Sequence, residues 1–134
     1  MKKKLKIRIT VFATCALLMF LMVTSALALT VESPASVRIG STSKVVGPIQ
    51  TLTKASLTGH VVSYSTSTGS RSMYGAMVTR GSVWIYTRDS ASVSPGCAVY
   101  DLAWDNGSYT GTFWAEAIAE NGNHNGDCTI YQDH

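Results

Sequence analysis

The sequence predicts an all-β domain, a small antiparallel β-sandwich with a small β-barrel as the alternative, preceded by a helical signal peptide that is cleaved. Three observations lead there. Beyond residue 28 the chain holds ten Val and twelve Thr against four Leu, a balance that suits pleated strands and starves helices. Short alternating segments recur about every ten residues, and Gly- or Asn-containing joints separate them, as in sandwiches and barrels.

The first 28 residues read as an export signal. Lys2, Lys3, Lys4, Lys6 and Arg8 form a basic head, Ile9 to Val23 is almost wholly apolar, and Ala26-Leu27-Ala28 offers the small residues that a signal peptidase reads. The apolar run of about 15 residues is too short for a membrane anchor, which needs roughly 20. Cys15 lies inside that run, so it is no lipoprotein attachment site. Membrane contact is expected only during export, and the localisation expected is secreted and extracellular. The head takes five of the eleven Lys and Arg with it, leaving six against eight Asp and Glu, a formal charge of −2 for residues 29–134. The basicity of the whole chain therefore belongs to its head, and nucleic acid is not expected as a partner.

Residues 29–43 hold Pro34 and Gly40 among many Ser and Thr and read as a lightly ordered leader, with a short edge strand at Val37 to Ile39. Residues 44–134 make the β-domain. Thr58, His60, Val62 and Tyr64 fall on one face of an extended segment, with Leu57, Val61 and Ser63 on the other. Met73 to Thr79 and Val83 to Thr87 flank Arg80-Gly81-Ser82, a hairpin joint. Cys97 to Trp104 and Tyr109 to Ile118 flank Asp105-Asn106-Gly107, the strongest hairpin signal in the chain, because Asn and Gly accept positive φ. Ala115, Ala117 and Ala119 allow one turn of helix around Trp114 to Glu120, though the alternation from Tyr109 to Ala115 favours a strand. Cys128 to Tyr131 is the last strand. Asp105-x-Gly107-x-Tyr109 resembles the tyrosine corner of immunoglobulin-like sandwiches, which implies a Tyr109 hydroxyl bonded back to the chain. Gly111 stands where an antibody-type domain carries its second Cys.

Cys97 and Cys128 are the cysteines beyond the signal, and an even count in an exported chain predicts one disulfide between them. Closing about 30 residues would contribute roughly 3–4 kcal/mol. The spacing offers no C-x-x-C and no His-x-x-x-His for zinc. Asn121, Asn123, Asn125 and Gly126, followed by Asp127, match the oxygen rhythm of a calcium loop. Asn replaces the leading Asp, however, and Gln132 replaces the bidentate Glu, so residues 120–128 read as a turn with no metal and no cofactor.

Chemistry has little to stand on. His60, His124 and His134 have no nucleophile setting beside them. Asp101, Asp105 and Glu116 could pair for glycoside cleavage, but acids also line the wet face of any exported β-domain. The expectation is a protein that is not an enzyme. The aromatics remain: Trp84 and Tyr86 share one face, Tyr100 and Trp104 another, and Trp114 points away from Phe113. Trp84, Trp104 and Trp114 are the candidate binding residues, for cell-surface carbohydrate or another protein, against a core role for the same rings. A bacteriocin-like toxin acting on a competitor's envelope is the alternative, to be separated by growth inhibition with the purified protein.

Overall fold

The computed structural model describes residues 30–40, 43–53, 56–68, 72–105, 107–119 and 123–133. The expected signal peptide, Asn106 of the hairpin motif, Glu120 and Asn121 of the calcium-like motif, and His134 lie outside the described residues. Among the described residues nine strands form: β1 (Thr30–Val37), β2 (Lys44–Val46), β3 (Gln50–Leu52), β4 (Leu57–Ser63), β5 (Met73–Arg80), β6 (Ile85–Val93), β7 (Ala98–Trp104), β8 (Gly111–Ala119) and β9 (Gly126–Asp133). They make two antiparallel sheets rather than a closed barrel, β1-β9-β4-β7 and β2-β8-β5-β6, with β3 prolonging the β2 edge along β8. No helix occurs among the described residues, and Trp114 to Ala119 belongs to β8.

Alternation places the core between the sheets. Phe113, Ala115, Ala117 and Ala119 point inward from β8, as do Leu57 and Val61 from β4, Met73 and Met77 from β5, and Cys128 and Ile130 from β9. The stretch expected as a loose leader is β1, paired with β9 over its whole length. Pro34 sits on this edge strand, where the missing N–H does no harm.

Buried polar side chains lock the β1/β3 edge. Ser33, fully buried, accepts the Ala115 N–H at 3.0 Å and donates to the Pro48 carbonyl at 2.7 Å, bridging the two sheets. Gln132, also fully buried, accepts from the Thr53 N–H at 3.0 Å and donates to the Thr51 carbonyl at 3.3 Å. At the opposite edge, Asp89 on β6 accepts the Ala103 N–H of β7 at 2.9 Å.

Two expectations fail on register. The segments flanking Asp105-Asn106-Gly107 do not form a hairpin: β7 pairs with β4 in one sheet, while β8 pairs with β5 in the other. The turn is tight, with Gly107 at φ 59 and its N–H bound to Asp105 Oδ1 at 3.1 Å, but it carries the chain between sheets. Nor is the Cys97–Cys128 disulfide formed, for both thiols are free. Cys128 stands opposite Val61 on one side of β4, and Cys97 accepts the Ser63 N–H on the other side. With β4 between them, the two are about two strand spacings of ~4.8 Å apart, more than the ~7 Å a bridge tolerates.

The separation has a chemical signature. Cys97 is exposed and Cys128 is buried, and burial pushes the Cys128 thiol from its ordinary 9.0 up to about 12. Below pH 9 the thiol is neutral in both states. Between pH 9 and 12 the unfolded chain ionises first, so stability falls with rising pH, on the order of 1.4 kcal/mol per pH unit. Unfolding free energies measured from pH 8 to 11 are expected to decline above 9, with a shallower decline in Cys128→Ala. An equal slope in the variant would contradict the buried thiol.

Candidate functional site

The β5–β6 hairpin is bent by a bulge. Met77 pairs with Asp89 and Val78 with Thr87, leaving Arg88 as the extra residue of β6. Bulges re-aim side chains, and this one sends Arg88 to the inward side, where its Nε donates to Oγ1 of the fully buried Thr79 at 2.7 Å. Three rings surround the guanidinium: its carbon lies 4.5 Å from the centre of Trp104, 4.6 Å from Tyr86 and 5.0 Å from Tyr109. Such stacking contributes about 0.5–2 kcal/mol per ring, more as water is excluded. Trp104 meets Tyr109 edge-on, centroids 5.6 Å apart.

Beside this stack opens a groove of about 390 Å³, lined by Gly81, Ser82, Val83 and Trp84 of the hairpin joint with Tyr86, Tyr109 and Thr110. Gly81 N–H donates to the Trp84 carbonyl at 3.2 Å, closing the joint. Gly81 is needed for contact rather than for φ: a Cβ there would stand 2.7 Å from the Tyr109 hydroxyl oxygen. That hydroxyl is buried and has no hydrogen-bond partner, so the bond implied by the tyrosine-corner resemblance is not made. Trp84 is 68% exposed, and Val83, Ile85 and Tyr86 around it are exposed too.

The three tryptophans therefore part company. Trp84 stands at the groove. Trp104 is half-buried behind it, under Arg88. Trp114, 7% exposed, packs with Ala76, Val78 and Tyr74 on the outer face of the β2-β8-β5-β6 sheet and donates from Nε1 to Glu116 at 3.0 Å, so it is not among the groove's lining residues. Tyr100 and Trp104 do not share a face, because the register slips between Gly59 and Val61 and gives β7 an extra residue. Tyr100 turns outward, 72% exposed, to meet His60 at 5.6 Å, and Tyr131 meets the same imidazole from the other side at 5.5 Å.

The residues considered for catalysis and calcium are dispersed. His60 is on one outer face of the stack, and Glu116 is on the other, ion-paired to Lys44 at 2.6 Å. His124 is fully buried with no partner on either ring nitrogen, and Asp105 caps its own turn. Asp127 accepts the hydroxyls of Ser36 and Tyr64, and that contact raises the Tyr64 hydroxyl above its ordinary value. Asn125 bonds through its side chain to Thr66 and through its backbone to Ser67 and Tyr64. Among the described residues no three His, Cys, Asp or Glu side chains are grouped to hold a metal ion.

Alternation in the sequence signals Trp84 and Tyr86, and the same count of two reaches Arg88 on their face, whereas Gly81 and Tyr109 enter the site without that signal. No protein-family model and no curated protein matches this chain.

Proposed function

We propose that the protein is a secreted, non-enzymatic binding module that takes surface carbohydrate in the groove beside Trp84. The observation that carries this reading is the large indole left in water at the rim of a concave site, with Tyr86 and Tyr109 beside it and the Ser82 and Thr110 hydroxyls in its lining. A flat apolar ring stacks on the C–H face of a sugar, while hydroxyls fix its orientation. The stacked Arg88 holds Tyr86, Trp104 and Tyr109 in place, which lowers the entropy cost of binding.

The test is retention of purified protein on insoluble cell-wall polysaccharide. Trp84→Ala is expected to weaken retention by about tenfold or more, corresponding to ~1.4 kcal/mol or more, and Trp84→Phe to keep most of it. Unchanged retention by Trp84→Ala, or none by the parent protein, removes the reading. Capture of a protein ligand through the same indole would move the site to the protein-contact class.

A further inference from the structure

Behind two of the rings that line the groove, Tyr86 and Tyr109, lies the guanidinium of Arg88, a charge next to the lining. Arg88 donates one N–H to Thr79, and no carboxylate pairs with its remaining N–H groups among the described residues. Its nearest acid in the chain, Asp89, is spent on backbone: one oxygen accepts the Ser90 N–H at 2.8 Å and the other the Ala103 N–H at 2.9 Å. Among the described residues no acidic side chain lines the groove. A half-buried guanidinium held by rings rather than by an acid keeps its field available to a ligand, and its planar fork matches carboxylate and phosphate oxygens. The buried Tyr109 hydroxyl, a donor with no acceptor, adds a second group that an anionic oxygen would satisfy.

We infer that the saccharide taken by this groove is an anionic one, carrying carboxylate or phosphate groups, with Arg88 as the anion anchor and Trp84 as the stacking platform. This rests on the carbohydrate reading above and adds the ligand's charge to it. The protein is acidic overall once the basic head is set aside, so the attraction is local to the groove and not a general affinity for polyanions.

Affinity electrophoresis of the purified protein through gels containing polygalacturonate, a glycerol-phosphate polymer or neutral dextran tests it. The expected result is retardation by one or both polyanions at concentrations about tenfold below any effect of dextran. It should weaken as salt rises from 0.05 to about 0.5 M, where the screening length shrinks severalfold. Trp84→Ala is expected to abolish the retardation. Arg88→Lys, which keeps the charge but not the fork, should lose about tenfold. The salt series on the unsubstituted protein stands even where an Arg88 variant folds poorly. Retardation by one polyanion alone identifies which group is recognised. Dextran bound as tightly as the polyanions, lost in Trp84→Ala and indifferent to salt, overturns the anionic inference and leaves the carbohydrate reading intact. No retardation in any gel overturns both. Retardation by polyanions that survives in Trp84→Ala and in Arg88→Lys overturns the assignment to this groove.

Discussion

Phe113→Ala is expected to lower the unfolding free energy by about 3–5 kcal/mol, a loss comparable to the whole stability of many domains of this size. Phe113 is the one Phe in residues 29–134 and the largest fully buried side chain. It projects from the middle of β8, paired with Thr79 of β5 on one side and Gln50 of β3 on the other, into the core that also takes Leu52, Met77 and Leu102. On its own strand it is followed by small residues, Ala115, Ala117 and Ala119, on the same face of β8. Those alanine side chains cannot swing into the vacated volume, so part of the cavity stays open and adds to the lost burial. No disulfide offsets it, since both cysteines are free. Urea titration followed by far-ultraviolet circular dichroism measures the effect. A loss under 1.5 kcal/mol would mean that Phe113 is not at the centre of the core.

How much of this was legible in the sequence depends on range. Alternation along one strand is a local property, and it identifies β4, β5 and most of β8 along with the inward set of Leu57, Val61 and Phe113. The β5–β6 hairpin is equally local, because Gly81 joins neighbouring segments that pair with each other. The Asp105-Asn106-Gly107 signal is local too, and there it misleads. A turn that folds the chain back can deliver the next strand to the same sheet or to the facing one, and nothing within the turn distinguishes the two. The disulfide expectation rests on parity and export, neither of which contains the register that sets β4 between Cys97 and Cys128. At the groove, Trp84 and Tyr86 were legible as a pair. Trp104 was a candidate too, but its expected pairing with Tyr100 was not legible, because an extra residue in β7 breaks the count of two between them.

Gly75→Ala is expected to destabilise the protein by about 1–3 kcal/mol or more, against the usual gain of ~0.5–1 kcal/mol when a strand glycine becomes alanine. Gly75 lies in the middle of β5, paired with Ala91 and Ala117, on the face that packs on the other sheet. A Cβ there would stand 2.5 and 2.8 Å from the two γ-methyl carbons of Val61 and 3.2 Å from Cβ of Cys128. Val61 has a stiff χ1 and is fully buried, so it cannot rotate away. The sheets must part or β4 must shift. Val61→Ala alone removes the obstructing methyls and leaves a cavity, which is also destabilising. Combined, the two changes exchange volume across the interface, and the double variant is expected to be at least ~1 kcal/mol more stable than the sum of the single losses predicts. Additivity within ~0.5 kcal/mol would show that Gly75 and Val61 do not meet, and with it that the facing of β5 on β4, which brings the hairpin and its groove to the mouth of the two-sheet stack, is wrong.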